Sequence, residues 1–461
     1  MLKSYRWKPM QPVNTPLVTS TGHLVSYSRQ IAPLALLDFL HAAPANTQRI
    51  YWEHADDDLA FAGYGAAAEV FAAGDTRFET VRQALGTLFA NAQIESPSAF
   101  VQPRVFGGFA FQADFAPDGI WSAFPPAYFM LPRHLLTRHG ANAWLTVNAC
   151  VTTEAEAAAV RAELDALITQ IAGLSSAVPA AHAISEAHIS YPLEHTVWRD
   201  QINTATAHMK AGELDKVVLS RSCDVTFKTP IDPLQALGRL AQRYPETYRF
   251  LVEPLPGDAF FGATPELLVA LQGRALATAA LAGSAKRGAI AAEDDQLGAA
   301  LFQNLKERYE HQLVVGALED MLMPLARKLN VPEAPQLLKL SNIQHLYTPI
   351  TGELNADTHV LQVVQRLHPT PAMGGYPRDV AVEMLRTVEP IARGWYAAPV
   401  GWIDATGDGM FAVAIRSAVS SGSQARLYAG AGIVAGSDPD REWDETGLKF
   451  RPMLDALGVQ A

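Results

Sequence analysis

Residues 427–449 constrain the fold more than any other stretch, and they read LYAGAGIVAGSDPDREWDETGLK. The apolar start predicts a strand, the glycines predict a turn, and Ser437 or Asp438 ahead of a proline predicts the cap of a helix. On that helix Glu442 and Glu445 are three positions apart and therefore share one face. The segment thus predicts two carboxylates on one side of a helix that follows directly on a strand.

A second pair with the same spacing, Glu307 and Glu310, lies in residues 297–329, which predict one long helix. The leucines on the predicted core side of this helix are Leu301, Leu305, Leu313, Leu318 and Leu322. A single Glu-x-x-Glu pair is usually a solvated helix surface. Two such helices facing each other could instead hold a hard divalent cation, because carboxylate oxygens are the ligands that Mg²⁺ prefers.

Overall composition excludes several classes of function. The 461-residue chain carries a formal net charge of -11, which argues against nucleic acid as a partner because phosphate binding needs clustered Lys and Arg. With only two cysteines, Cys150 and Cys223, a disulfide framework or a cysteine zinc site is excluded. Residues 1–9 lack the apolar core of a signal peptide, and no run approaches the roughly 18 apolar residues of a membrane span. We therefore expect a soluble, cytoplasmic protein with neither a membrane nor a nucleic-acid partner.

The first 170 residues mix short strands with helices and indicate a scaffold. Residues 60–66 predict a short strand and residues 154–172 a helix. In a further predicted strand, Gly107 and Gly108 mark a place where a side chain would obstruct packing. Residues 173–185 are small, polar and contain a proline, so they are the best candidate for a linker.

Two titratable residues each allow a structural and a chemical interpretation. Lys216 opens a predicted strand, where it is either an edge charge reaching for water or a buried lysine with a lowered pKa that suits a base. Glu266 follows Pro265 among apolar neighbours. It is either a proton donor with a raised pKa or a carboxylate at a helix N-terminus.

Two further segments suit a substrate carboxylate. Residues 280–287 predict a turn of small residues with free N–H groups, followed by two cations. Residues 409–418 predict one strand on which Arg416 points away from its apolar neighbours. The guanidinium could then make a bidentate contact with a carboxylate. Residues 430–436 contain spaced glycines, but they lack the strand–helix–strand unit and downstream acid of a dinucleotide fingerprint, which we therefore reject.

Taken together, these segments resemble the chorismate-utilising enzymes, and among them the isochorismate synthases of menaquinone and siderophore pathways. Seven motifs occur in family order over more than half of the chain. They are KVVLSR from residue 216, FGATPELL from 261, LAGS from 281, EHQLVV from 310, LHPTPA from 367, IRSA from 415, and AGAGIV from 429 with the ETGLK that ends at 449.

The resemblance implies a fold that residue spacing does not give. It implies one large α/β (α+β) domain in which two antiparallel sheets pack together, surrounded by helices, with the site between them. Residues 1–185 would form the variable N-terminal part and residues 186–461 the chorismate-binding catalytic part, so the linker candidate would be a surface loop. The expected partner is the small molecule chorismate, and a monomer is favoured.

The resemblance also assigns roles to residues. Glu310 and Glu445 would hold Mg²⁺ at the ring carboxylate of chorismate, with Glu307 and Glu442 acting through water or as supporting groups. Lys216 matches the general base that activates a water for attack at C2, and Glu266 matches the general acid that protonates the leaving C4 hydroxyl. The residues matching the substrate-binding positions are Ser284, His345, Ala372, Tyr396, Arg416, Gly430, Gly432 and Lys449.

The reaction within the family depends on two positions. Lys216 disfavours an anthranilate synthase, in which ammonia replaces water at the base position. Salicylate synthases, which go on to eliminate pyruvate, and other lyases of the family typically carry Thr where this chain has Ala372. We therefore expect an Mg²⁺-dependent isochorismate synthase, with a salicylate synthase as the alternative. A metal-dependent hydrolase or isomerase of unrelated fold and an inactive metal-binding scaffold are the remaining hypotheses.

Overall fold

The structure is a computed structural model that describes residues 17–18, 21–55, 57–98, 100–173, 186–341 and 343–459. Except for Gly173, the predicted linker 173–185 lies outside the described residues. Within them, no helix is long and apolar enough to cross a membrane.

The described chain contains both helices and strands along its whole length. The helices are α1 (Leu36–His41), α2 (Arg77–Phe89), α3 (Glu154–Ala172), α4 (His195–Lys210), α5 (Pro233–Arg243), α6 (Ala291–Gln303), α7 (Leu305–Leu322), α8 (Val360–Leu367), α9 (Arg378–Val388) and α10 (Pro439–Ala456), with one 3₁₀ turn at Gly119–Trp121. The strands of the first half are β1 (Leu17–Val18), β2 (His23–Ile31), β3 (Arg49–Glu53), β4 (Leu59–Ala72), β5 (Gln93–Glu95), β6 (Arg104–Phe109), β7 (Ala127–His139), β8 (Asn142–Val151), β9 (Ala187–Ser190), β10 (Lys216–Phe227) and β11 (Tyr248–Leu255). Those of the second half are β12 (Asp258–Thr264), β13 (Leu267–Gln272), β14 (Ala275–Lys286), β15 (Ala326–Asn330), β16 (Gln336–Lys339), β17 (Ile343–Leu354), β18 (Gly375–Tyr376), β19 (Pro399–Asp404), β20 (Gly409–Val413), β21 (Ser417–Ser421) and β22 (Gln424–Ile433).

Hydrogen bonding arranges these strands in two sheets that share β4 and β7. The first sheet runs β5-β2-β8-β7-β4-β3-β11-β12-β21-β22-β10, with β9 and β18 on the free edge of β10. The second runs β1-β4-β7-β6-β19-β20-β13-β14-β17, with β15 and β16 beside β17. The β2–β5 pair is parallel and the other described pairs are antiparallel. The prediction of one domain with two antiparallel sheets is confirmed.

The two shared strands pass from one sheet to the other. β4 pairs with β3 through residues 61–64 and with β1 through residues 70–71. Its register against β7 shifts between Ala66 and Ala68, an irregularity of the kind that bends a strand. β7 likewise pairs with β8 through residues 134–139 and with β6 through residues 127–130. The short strand predicted at 60–66 is therefore part of a longer, bent strand.

Aromatic side chains fill the space between the sheets. Phe61 of the first sheet contacts Phe106 and Trp402 of the second, with ring centroids 5.3 Å and 5.5 Å apart. A second apolar core lies on the other face of the first sheet, where α1, α3, α5 and α10 cover it. The alternation of a strand divides its residues between the two cores, so that Trp52 belongs to the inner core and Tyr51 to the outer one.

Both halves of the chain contribute to both sheets. β3 pairs with β11 along five residue positions, and β6 pairs with β19 along five. Strands from before and after residue 185 are therefore hydrogen-bonded neighbours. The division into a variable N-terminal part and a catalytic part stays a prediction.

The single helix predicted over residues 297–329 is wrong. α6 and α7 are separated by Asn304, whose backbone is extended at φ -71 and ψ 111. Its side chain accepts hydrogen bonds from the N–H groups of Lys306 and Glu307, so it caps α7. Leu305, predicted to face the core, is 81% exposed at this junction. An Asn within an apolar pattern favours a cap, because its side chain competes for backbone N–H groups.

Two shorter predictions are also wrong. Residues 280–287 are not a turn, because they continue β14, whose register against β17 shifts at Gly283. Residues 409–418 are not one strand, because β20 ends at Val413 and β21 begins at Ser417. Arg416 lies in the break with a positive φ of 50, so strand alternation does not set its direction.

We predict that Gly107→Ala destabilises the protein by about 3 kcal/mol or more, because the new Cβ would lie 1.9 Å from the Tyr128 carbonyl oxygen of the neighbouring strand. The distance of 1.9 Å confirms that a side chain at Gly107 would obstruct packing, as the sequence analysis expected. The matched control is Gly86→Ala, an exposed site within α2 with nothing within 4 Å of the new Cβ, which should stabilise by about 0.5–1 kcal/mol. Denaturant unfolding measures both changes, and equal effects would contradict the argument.

Candidate active site

One pocket gathers every residue that the sequence analysis proposed for the site. It opens where β10, β14, β17 and β22 meet α7 and α10. The predicted residues that line it are Lys216, Glu266, Ser284, Glu307, Glu310, His345, Ala372, Tyr396, Arg416, Gly430, Gly432, Glu442, Glu445 and Lys449. Segments up to 233 positions apart in the sequence thus converge on one site, from Lys216 to Lys449.

Lys216 is an interior residue, so the interpretation as an edge charge is wrong. It is 1% exposed and begins a strand that pairs with β18 and β22. Its Nζ lies 2.8 Å from Glu310 Oε1 of α7. A buried ammonium needs such a partner, because its desolvation otherwise costs several kcal/mol. The lysine therefore reaches into the pocket and meets one of the predicted metal ligands there.

Gly432 makes room for this contact. A Cβ at that position would lie 2.6 Å from Glu310 Oε1 and 3.2 Å from Lys216 Cε. The strand β22 brings the glycine beside Val218 of β10. The glycines of this segment therefore permit side chains from β10 and α7 to meet over the backbone of β22.

Glu266 lies in the short connection between β12 and β13 and is 5% exposed. It is not at a helix N-terminus, so that alternative is wrong. Burial raises its pKa to about 8, although the charges of Lys216, Arg416 and Lys449 act in the opposite direction. The carboxyl group is therefore protonated at neutral pH, as a proton donor requires.

The four predicted metal-binding glutamates are held by the protein itself. α10 begins at an Asp438 cap and carries Glu442, which lies 3.3 Å from Lys306 Nζ, and Glu445, which lies 2.6 Å from Lys449 Nζ. On α7, Glu307 Oε2 accepts a hydrogen bond of 3.0 Å from the N–H of Ser284. Each helix thus turns both members of its acidic pair towards the pocket.

The donor set suits a hard cation. Burial and the neighbouring Glu310 raise the pKa of Glu307, and burial and Glu445 raise the pKa of Glu442. A carboxylate whose pKa is raised by a neighbouring carboxylate gains from a divalent cation, which offsets the negative charge of both groups. Within the described ranges, no three His, Cys, Asp or Glu side chains already stand in a metal-binding arrangement.

Ser284 and His345 form a polar pair on β14 and β17. Ser284 Oγ lies 2.9 Å from His345 Nδ1, and burial lowers the pKa of His345 to about 3, so the imidazole is neutral. Its buried Nε2 has no hydrogen-bond partner among the described residues. A buried polar atom without a partner in the pocket wall is suited to a ligand.

Three residues supply positive charge or a hydroxyl to the pocket. Lys449 of α10 donates from Nζ to the Gly430 carbonyl at 2.8 Å. Arg416 also lines the pocket, and burial lowers its pKa. Tyr396 is 4% exposed and stacks on Tyr428 at 5.0 Å, and burial raises its pKa to about 12. The guanidinium and the ammonium together suit an anionic ligand.

Several pocket residues received no role of their own in the sequence analysis, although most of them lie within its motifs. They are Val218, Pro265, Leu281, Ala282, Gly283, Lys306, Met373 and Ile415. Lys306 directly precedes Glu307, so its position beside an acidic pair was an available signal. The apolar members carry no chemical signal, since an apolar residue in a strand is indistinguishable from a core residue in sequence.

Comparison with known proteins places this pocket in a family. The family model described as "Chorismate binding enzyme" matches residues 13–458. The isochorismate synthase MenF of Bacillus subtilis is 36% identical, over 99% of this chain and 98% of the relative. The salicylate biosynthesis isochorismate synthase of Pseudomonas aeruginosa is 37% identical, over 95% of this chain and 90% of the relative.

Solved structures agree with these sequence matches. The structure of MenF, the menaquinone-specific isochorismate synthase from Escherichia coli, superposes with a TM-score of 0.79 at 28% identity, covering 96% of this chain and 95% of that one. Anthranilate synthase component I from Streptococcus pneumoniae superposes with a TM-score of 0.70, over 89% of this chain and 93% of that one. At 18% identity it shows only that the fold is shared. The resemblance seen in the ordered motifs is confirmed, and the chain belongs to the chorismate-binding enzyme family, as a relative of its isochorismate synthases.

Proposed function

We propose that this protein is an isochorismate synthase that converts chorismate to isochorismate with the help of Mg²⁺. The observation that carries the proposal is the pairing, in one pocket, of a buried lysine with a buried carboxyl group whose pKa is raised to about 8. The sequence and structural similarity to isochorismate synthases supports it. Relatives named for salicylate biosynthesis and for menaquinone biosynthesis match over similar shares of this chain, so we propose the reaction and not a pathway.

The reaction needs a base and an acid at the two ends of a conjugated diene. Lys216, in its neutral amine form after its ammonium group has released a proton, takes a proton from a water molecule as the water oxygen bonds to C2. The ring double bonds shift, the C4–O bond breaks, and Glu266 gives its proton to the departing hydroxyl, which leaves as water. One water is consumed and one released, so the substrate is isomerised. Arg416, Lys449 and the hydroxyl of Tyr396 bind and orient the carboxylates of the substrate.

Mg²⁺ fits the carboxylates of α7 and α10. Glu310 and Glu445 would hold it, and Glu307 and Glu442 would act through water. When bound, the ion supplies positive charge for the ring carboxylate. Lys216 and Lys449 contact Glu310 and Glu445 directly, so these lysines would be neighbours of the bound ion.

The alternative product is salicylate. Ala372 lines the pocket and is 8% exposed, and its methyl group offers no hydrogen bond to a substrate. Lyases of the family carry Thr at the matching position, so Ala372 favours a reaction that stops at isochorismate.

The first prediction for the proposed function concerns the identity of the product and the need for a metal. Purified protein with chorismate and Mg²⁺ should form isochorismate, reversibly and without pyruvate, and chelation by EDTA should abolish turnover until Mg²⁺ is restored. Chromatography resolves the products. Salicylate with pyruvate would establish the lyase alternative, and the absence of any turnover would refute the proposed function.

The second prediction concerns the two proton-transfer groups. Lys216→Met and Glu266→Gln should each lower kcat by roughly 10²- to 10⁴-fold, because each removes one side of the acid–base pair while keeping side-chain volume. Lys228→Ala is the control, since that exposed lysine follows the far end of β10 and pairs with Glu186. Thermal unfolding must show that the variants fold, and near-normal kcat in either pocket variant would exclude the assigned role.

The third prediction concerns pH. Glu266 must carry a proton to act as the acid, and its pKa is about 8. The rate should therefore fall as the pH rises through about 8, where the folded protein loses that proton. Initial rates with saturating Mg²⁺ measure this limb, with thermal unfolding at each pH as the control for stability. A rate that stays level to pH 10 would contradict the assignment.

A further inference from the structure

A buried ion pair next to the pocket has no part in the proposed chemistry. Glu389 and Arg393 are four residues apart after α9, and their side chains are 6% and 3% exposed. Arg393 Nε and Nη2 donate to the two carboxylate oxygens of Glu389 at 2.8 Å and 2.7 Å. The ring of Phe111 covers the guanidinium, with Cζ 4.3 Å from its centroid. Neither Glu389 nor Arg393 lines the pocket.

The remaining donors and acceptors of the pair bind the backbone of the pocket wall. Arg393 Nη1 donates to the carbonyl of Met373 at 2.9 Å, and Nη2 donates to the carbonyl of Val218 at 2.5 Å. Glu389 Oε1 accepts from the N–H of Ser220 at 2.7 Å and from its hydroxyl at 2.9 Å. One ion pair thus connects β10 with the loop that contains Met373.

A third pocket segment is tied to the same point. The N–H of Tyr396 donates to the carbonyl of Arg393 at 3.0 Å, so the arginine backbone fixes the turn that bears the tyrosine. The N–H of Val218 also donates to the carbonyl of Gly374 at 3.0 Å, which adds a direct bond between β10 and the loop. Val218, Met373 and Tyr396 all line the pocket, and Lys216 is two residues before Val218.

The geometry of the Glu389–Arg393 ion pair favours a role in positioning the backbone of the pocket over a role in stabilising the fold. A buried ion pair loses much of its attraction to desolvation, so burial alone is weak evidence that it stabilises a fold. A guanidinium in a bidentate contact instead holds its partners in one fixed arrangement, which a lysine cannot reproduce. Here that arrangement includes three backbone segments of the pocket wall.

We propose that Glu389 and Arg393 are positioning residues that hold the Lys216 strand, the Ala372–Met373 loop and Tyr396 at fixed mutual positions around the substrate. The inference rests on the proposed function for its kinetic consequence only. The loop determines how closely Ala372 and Met373 approach the substrate, and β10 determines where the base lies. A small displacement of the loop or of β10 would lower kcat, because proton transfer and the attack of water depend on aligned geometry.

The test compares two arginine-to-lysine variants in the full-length protein. Arg393→Lys keeps the charge and loses the connection to both carbonyl groups. Arg49→Lys is the matched control, since Arg49 also makes a bidentate contact with a buried carboxylate, that of Glu253. This contact connects β3 with β11 and lies away from the pocket. We expect Arg393→Lys to lower kcat for chorismate at least tenfold with less than a threefold change in KM, and Arg49→Lys to keep kcat within twofold, at similar losses of Tm.

Amide hydrogen exchange provides a readout that does not depend on turnover. Arg393→Lys should raise exchange at Val218, Ser220 and Gly374 at least tenfold, and Arg49→Lys should leave these amides unchanged. If the wild-type protein does not turn over chorismate, the proposed function fails, and localised exchange still supports the coupling of the three segments. Equal exchange and equal kcat in the two variants, or a loss of kcat no larger than in the control, would overturn the proposal.

Discussion

The contact between Lys216 and Glu310 is the constraint on which the rest of the site depends. Both groups leave water on folding, and each is acceptable there only because the other is 2.8 Å away. The contact requires the start of β10, the first turns of α7 and a glycine of β22 to meet at one point. A side chain at position 432 would occupy the space of the Glu310 carboxylate. The contact therefore requires a glycine at this position, the close approach of β22, and the two opposite charges.

That meeting point is supported by strands from both halves of the chain. β10 ends the first sheet, and the strands beside it, β22, β21, β12 and β11, lead to β3 and β4 of the N-terminal half. β14 and β17, which carry Ser284 and His345, end the second sheet. Since β4 and β7 run through both sheets, the two walls of the pocket are parts of one hydrogen-bonded framework. The N-terminal residues that looked like scaffold in the sequence connect the walls that carry the chemistry.

The sequence predicted the contents of the site better than its geometry. Spacing placed Glu442 with Glu445 and Glu307 with Glu310, and the ordered motifs brought both pairs to one family site. Spacing failed at Asn304 and Arg416, where a cap and a positive φ interrupt apolar patterns that look continuous. The two-sheet topology also lay beyond periodicity, because it depends on long-range pairing such as that of β3 with β11. Lys306 was missed although it directly precedes Glu307, and the Glu389–Arg393 pair was missed because the backbone groups that it binds on β10 are distant in sequence.

Glu266 and Glu445 show how one pocket keeps two carboxyl groups in opposite states at neutral pH. Burial acts to raise the pKa of both carboxyl groups. At Glu266 the effect of burial exceeds that of the nearby positive charges, because no lysine or arginine of the described chain lies within ion-pair distance. At Glu445 the same effect is outweighed by Lys449 at 2.6 Å, and the pKa falls below its ordinary value. The two carboxyl groups differ both in their distance to a cation and in their exposure, since Glu266 is 5% exposed and the Glu445 side chain is 38% exposed. A proton donor and a cation ligand need these opposite states, so a close lysine together with greater exposure separates the two roles.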